Sequence, residues 1–196
     1  MTHTDTPTDG RRDTELDVVD VLTADHHEVS ALIQRIWAET DPAARRDLAD
    51  VMISELVRHS VAEETFVYPA MILHLPGGAQ SVEHDTQEHK DLERTMKSLE
   101  AAEPDGEHFE ELLRHLETVL NDHVTDEENE QFPRLRAHIP RAELLTLAGQ
   151  VEAIKMIAPT RPHPAQPNNG LVHALVGPGL GMVDRLRDRI SGRPTA

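Results

Sequence analysis

The sequence predicts an all-α protein: an antiparallel up-down-up-down four-helix bundle with a fifth helix and a Pro/Gly-rich C-terminal tail. Three observations carry this expectation. From residue 15 to residue 138 apolar side chains recur at steps of three and four, the period of one helical face. Almost nowhere do β-branched residues alternate at the period of a strand. The breaks between periodic stretches are short, so consecutive helices must fold back beside one another. An aromatic content of only 3% fits a core built of Leu, Ile, Val and Met.

The first helix is marked by Leu22, His26, Val29, Ile33 and Ile36 and stops before Asp41-Pro42. A second carries Leu48, Met52, Leu56, His59, Glu63 and Phe66 on one face. It is expected to end or kink near Pro69, because proline lacks the amide hydrogen and clashes one turn back. The stretch LPGG at 75–78 is a loop. The third helix carries Val82, His89, Leu92, Met96 and Leu99 and stops at EPDG, residues 103–106. Leu113, Leu116, Leu120, His123 and Glu127 mark the fourth, which runs toward Pro133. Trp37 is expected in the core.

Segment boundaries follow from these patterns. Residues 1–14 read as a disordered N-terminal tail, 15–138 as the bundle and 139–158 as an additional helix, RAELLTLAGQVEAIKMIA. Residues 159–196 form the tail, in which 159–181 hold five prolines and four glycines and cannot continue a helix; 182–190 read as a short terminal helix.

Composition narrows the function. The 196 residues suit one sizeable core. A formal charge of -17 repels phosphate backbones and anionic lipid surfaces, so neither nucleic acid nor membrane is an expected partner. With no cysteine, a disulfide framework, a thiolate zinc site and an iron–sulfur cluster are excluded, and any metal must be held by nitrogen and oxygen. The N-terminal residues lack the apolar core of a signal peptide, and no apolar run approaches the length of a membrane helix, so the expected localisation is cytoplasmic.

One repeat stands out. Residues 59–69 read HSVAEETFVYP and residues 123–133 read HVTDEENEQFP, so that at an offset of 64 His59, Glu63, Glu64, Tyr68 and Pro69 fall on His123, Glu127, Glu128, Phe132 and Pro133. At an offset of 63, Asp25 and His26 fall on Glu88 and His89, and Val29, Ile33 and Ile36 fall on Leu92, Met96 and Leu99. The chain is thus two helical hairpins, each offering one histidine from its first helix and a histidine plus a carboxylate from its second. Four His-x-x-x-Glu pairs occur in all, and roughly one is expected by chance. Only His59/Glu63 and His123/Glu127 lie on the apolar stripe of their helices.

A lone histidine on an apolar face is ordinarily a hydrogen-bonded core residue. Four histidines and two glutamates on the inward faces of one bundle are another matter, since each would cost several kcal/mol unless paired or coordinated. Two divalent cations satisfy all six. The one-turn spacing lets imidazole and carboxylate reach the same centre while the carboxylate bridges to a second. A nitrogen and oxygen set suits iron, manganese or zinc. His26 is preferred over His27 because it continues the Leu22, Val29, Ile33 stripe.

His26, His59/Glu63, His89 and His123/Glu127, with their flanking DH, EE and YP/FP features, resemble the hemerythrin-like (HHE cation-binding) domains over about residues 16–138. The resemblance implies a cofactor of two iron ions with an oxo or hydroxo bridge, both glutamates bridging, and a small diatomic or peroxide ligand. Oxygen-carrying members bring a further histidine one turn from the third-helix ligand; here Asp85 and Glu93 stand four residues before and after His89, and either supplies an extra oxygen ligand or is ordinary helix charge. His84 reads as surface. Counting bonds, four histidines and two bridging glutamates leave about two of the positions of a six-coordinate iron pair open, which favours turnover of an oxidant over reversible carriage.

Around this set, His27 and Glu28 flank the first ligand, and Glu64 and Glu128 follow the carboxylates, where they receive ring N–H groups or face water. Tyr68 is an outer hydrogen-bond donor or simply packs its ring. His163 and His173 lie in the tail, with a lid, an accessory metal or no role. Two functions remain: a di-iron protein binding or reducing dioxygen, hydrogen peroxide or nitric oxide, or a non-catalytic oxygen or iron sensing or storage module. The plainest alternative is a metal-free bundle. The sequence assigns neither a catalytic residue nor an oligomeric state.

Overall fold

The structure, a computed structural model, describes residues 15–164, 184, 188 and 191–195. The expected N-terminal tail, most of the C-terminal tail including His173, and nearly all of the expected terminal helix lie outside the described residues. Within them the chain is all-α, with five rods and no strand.

Helix α1 spans Val18–Ala38 and starts on a capping box: the Asp17 side chain accepts from the amides of Val19 and Asp20, and Asp20 accepts from the Asp17 amide. These bonds satisfy orphan donors of the first turn. Asp17 is also buried, and it pairs with Arg136 and Arg141, tying the start of α1 to the end of the fourth rod and the start of the fifth.

Rod α2 begins at Pro42 behind an Asp41 cap, runs as Pro42–Ala62, widens into a π turn over Glu63–Val67 and continues as Tyr68–His74. Rod α3 spans Gly78–Ala101. Rod α4 repeats the α2 pattern: Glu107–Asp126, a π turn over Glu127–Gln131, then Phe132–His138. The additional helix α5 spans Arg141–Lys155 and packs across α1 and α2, while α1 pairs with α2 and α3 with α4.

Of the end or kink expected near Pro69, no helix end is found: rod α2 continues past Pro69 and rod α4 past Pro133. In each case the π turn lies just before the proline, and the amides of Tyr68 and Phe132 bond to the carbonyls of Glu63 and Glu127, five residues back. The wider turn relieves the crowding a proline imposes on an α-helix. Side chains complete the local bonding, since Thr65 Oγ1 donates to the Val61 carbonyl at 2.6 Å and Asn129 Nδ2 donates to the Thr125 carbonyl at 2.9 Å. Between α2 and α3, Gly77 adopts φ +75°, and a Cβ on Gly78 would stand 2.1 Å from the Met71 carbonyl oxygen, so this turn needs both glycines.

The core is split. One apolar cluster includes Val18, Leu22, Val67, Met71, Phe132, Leu135 and Val151; the other includes Val29, Ile33, Met52, Leu56, Leu92, Met96, Leu116 and Leu120. Between them every one of the four bundle rods interrupts its apolar stripe with histidine or carboxylate. Trp37 sits at the edge of the second cluster, half-buried, with its indole N–H donated to Glu117.

Candidate metal centre

The interruption is a buried layer formed by the six residues singled out in the sequence. His26, His59, Glu63, His89, His123 and Glu127 are each no more than 3% exposed. His26 comes from α1, His89 from α3, and the other four from the last α-turn and the first π residue of α2 and α4. The π turn therefore begins at the carboxylate itself.

Their ring Nε2 atoms converge on the two glutamates. His59 Nε2 lies 3.1 Å and His89 Nε2 lies 3.4 Å from Glu63 Oε2. His26 Nε2 is 3.2 Å from Glu127 Oε2, and His123 Nε2 is 3.5 Å from Glu127 Oε1. Two groups of donor atoms result, each within 4.8 Å of one another: His26, His59, Glu63 and Glu127 in one, Glu63, His89 and His123 in the other. Glu63 belongs to both.

Several of these atoms have no hydrogen-bond partner although they are fully buried: His26 Nε2, His59 Nε2, both oxygens of Glu63 and Glu127 Oε2. Buried polar atoms are nearly always satisfied, and charged ones left alone are costly. Here the unsatisfied atoms face one another and match the nitrogen and oxygen donor set of a dimetal centre. The residues fit such a group.

Charge inside the layer is held by proximity. Burial works against a charged His59 ring, yet Glu63 and Asp25 raise its pKa to about 10. His89 is raised against the same burial by Glu63 and Glu64, and His123 by Glu127 and Glu88. Glu63 is driven well below the usual carboxylate range, against burial, by His59 and His89. The positive charge that these carboxylates favour on the imidazoles is the charge a bound cation would supply.

The opposite edge of each ring is held by a carboxylate in a closed ring around the bundle. Asp25 on α1 lies 3.3 Å from His59 Nδ1 on α2, and Glu64 on α2 lies 3.0 Å from His89 Nδ1 on α3. Glu88 on α3 lies 2.9 Å from His123 Nδ1 on α4, and Glu128 on α4 lies 2.9 Å from His26 Nδ1 on α1. Each carboxylate orients the histidine of the next helix, fixing the tautomer that leaves Nε2 free for a metal. Of these four, the sequence reading named Glu64 and Glu128. Asp25 and Glu88 went unassigned, although they are the repeat partners that directly precede His26 and His89. His27 and Glu28, by contrast, are exposed on α1 and take no part.

The two halves differ in the aromatic residue beside the layer. Phe132 stacks on His26 at 5.7 Å between ring centroids, and its repeat partner Tyr68 stacks on His89 at 5.5 Å. Only the tyrosine brings a polar atom, and its hydroxyl lies 3.1 Å from His89 Nε2. Burial and the surrounding carboxylates push that phenol well above its usual pKa, so it stays protonated. Asp85 is fully buried; its Oδ1 accepts from Gln131 Nε2 at 3.0 Å while Oδ2 has no partner, and burial raises its pKa to about 6. Asp85 also groups with Glu88 and His123 as a third set of donor atoms. Glu93 accepts from the His163 amide at 2.8 Å, and His84 is exposed, near Glu88.

Comparison with known proteins places this arrangement. A family model described as Hemerythrin HHE cation binding domain matches residues 17–135. An uncharacterized hemerythrin-like protein of Schizosaccharomyces pombe is 28% identical over 178 residues, spanning 90% of this chain and 88% of that one. A protein named DNA nickase from Nostoc sp. is 24% identical over 148 residues; the match covers 76% of this chain but only 42% of the relative. The crystal structure of a hemerythrin HHE cation-binding domain-containing protein from Mycobacterium kansasii superposes with a TM-score of 0.62 at 23% identity, covering 72% of this chain and 86% of that one, and so supports the fold.

Proposed function

From the premise that this chain belongs to the hemerythrin HHE cation-binding domain family, we propose that its buried layer holds two iron ions and that the protein binds or reduces a small oxidant there. The observation that carries the proposal is the pair of donor groups sharing Glu63, in which His26 Nε2, His59 Nε2, both Glu63 oxygens and Glu127 Oε2 are buried with no hydrogen-bond partner. In this reading His26, His59, His89 and His123 would hold the pair together with Glu63 and Glu127. Once bound, such a pair, which the family resemblance implies is oxo- or hydroxo-bridged, would supply the redox chemistry for dioxygen, hydrogen peroxide or nitric oxide.

The chain's own residues do the rest. Asp25, Glu64, Glu88 and Glu128 hold the four rings in register and keep Nε2 available. The apolar clusters above and below exclude bulk water from the layer. Tyr68 keeps its proton and points its hydroxyl at the His89 edge, where it can donate a hydrogen bond to a molecule bound on that side. Its repeat partner Phe132 offers nothing equivalent. The polar hydroxyl of Tyr68 beside His89, with no counterpart beside His26, is what supports an oxidant site on the His89 side.

The name of the Nostoc relative is not carried over: a formal charge of -17 disfavours a phosphate backbone as substrate. Among the described residues no helix is long and apolar enough to cross a membrane. The test is elemental analysis together with turnover. Two irons per chain and sustained consumption of hydrogen peroxide or nitric oxide support a redox protein. Two irons without turnover favour the sensing or storage alternative. No iron after anaerobic loading defeats both.

A further inference from the structure

A cleft in the seam between α2 and α3 reaches the His89 side of the layer. Val57, Val61 and Met96 supply its apolar wall, Glu64 and Glu93 its charge, and His89 lies at its inner end. Its free space is about 20 Å³, room for roughly one water-sized molecule. Ser60, half-buried, lines it as well.

The same seam carries the described part of the C-terminal segment. Asp50 and Val57 on α2, and Glu93 and Glu100 on α3, are each seven residues apart and so lie along one edge of their helices. Arg161 pairs with Glu100 and with Asp188, and Thr160 donates to Asp188 at 2.6 Å. Arg193 pairs with Glu100 and lies 3.3 Å from Asp50. Although burial opposes its charge, Glu100 is held at about 2 by Lys97 and Arg193, so the latch is ionised. Two turns nearer the metal layer, the His163 amide donates to Glu93, a wall of the cleft, and the His163 ring pairs with Asp184 at 3.0 Å.

We propose that this cleft is the access subsite for a small neutral diatomic, nitric oxide or dioxygen, on its way to the His89 side, and that residues 159–164, a strap latched through Arg161 to Glu100 and resting on Glu93, govern its opening. The proposal rests on the iron site described above. Size admits a diatomic and little more. Apolar walls favour a neutral molecule, while two carboxylates repel an anion of similar size. The strap touches a wall of the cleft at one end and is pinned by ion pairs at the other, so weakening the far latch loosens the contact at the cleft.

The test is nitric oxide association with the iron-loaded full-length protein, followed by stopped flow, with iron content measured in each variant. Ser60→Phe, which fills the half-buried position, slows association by about tenfold or more, and Arg161→Ala speeds it several-fold. Glu93→Gln, which keeps an oxygen for the His163 amide but removes the charge, quickens azide, an anion, by a larger factor than nitric oxide. Hydrogen exchange over residues 159–164 gives a readout that does not involve the iron: protection of the His163 amide falls in Arg161→Ala. Two irons with parental nitric oxide rates in both Ser60→Phe and Arg161→Ala overturn the subsite and leave the iron site standing. An unprotected His163 amide in the parent overturns the strap. A chain that takes up no iron overturns this inference together with the function it rests on.

Discussion

His89 Nε2 and His123 Nε2 face each other at 3.2 Å inside a layer buried from solvent. At that distance a proton on one ring nitrogen leaves no room for a second, yet both rings are pushed toward the charged form by the carboxylates around them. A cation shared with Glu63 resolves the conflict, since it needs both nitrogens unprotonated and leaves each Nδ1–H to its own carboxylate.

Metal loading at neutral pH should therefore release protons. His59 is held near 10, and His89 and His123 are raised. Calorimetric titration of the metal-free protein in buffers of different ionisation enthalpy should show an apparent heat that tracks the buffer, with net release. A heat independent of buffer contradicts the assignment.

Without metal, the same shifts make stability depend on pH in a set direction. For His59 the folded value of about 10 exceeds the ordinary 6.5, so its contribution is full below 6.5 and is lost as pH rises toward 10. For Asp85 the folded value is raised from 3.8 to about 6 by burial, so its ionisation weakens the fold across that acidic window. Glu63 acts oppositely, with a contribution present above 4.5 that is lost only as pH falls through its lowered folded value. Urea midpoints of metal-free protein should fall between pH 6.5 and 10, and a rise over this range is the contrary result.

The four carboxylates behind the histidines should matter as much as their geometry implies. Asp25→Asn and Glu88→Gln, repeat partners on opposite hairpins, should each weaken metal affinity about 10- to 100-fold. His27→Ala, beside His26 but exposed, should leave it unchanged. Competition against a chelator measures all three, and equal affinities throughout would remove the carboxylate ring from the account.

A structural contrast is available at Asp17. It caps α1 and pairs with Arg136 and Arg141 while buried, so Asp17→Ala should cost about 2–4 kcal/mol in denaturant unfolding. Iron content should stay at the parental level. A loss below about 0.5 kcal/mol would mean that this junction does not fasten the bundle.

The bundle was legible because each helix keeps its apolar residues on one stripe, and short breaks at 39–41, 75–77 and 102–106 leave little choice but to fold back. The meeting of the six buried side chains was legible for a related reason: histidine and glutamate at positions where Leu22, Leu56, Leu92 and Leu120 set the pattern must face inward. What could not be read was anything dependent on rotation between helices. Asp25 and Glu88 are one residue off the stripe, and only the packing of α1 on α2 and of α3 on α4 turns them onto a neighbour's ring. The π turns were hidden as well. Proline at 69 and 133 signals an interruption, but the interruption is an inserted residue and not a helix end, and it puts Glu63 and Glu127 at the mouth of the wider turn.

Anomalous diffraction at the iron edge from crystals of the iron-loaded protein tests the central claim most directly. The account predicts two peaks in the buried layer, one among His26, His59, Glu63 and Glu127, the other among Glu63, His89 and His123. A single peak, or density beside Asp85 and Glu88 with the layer left vacant, would contradict it.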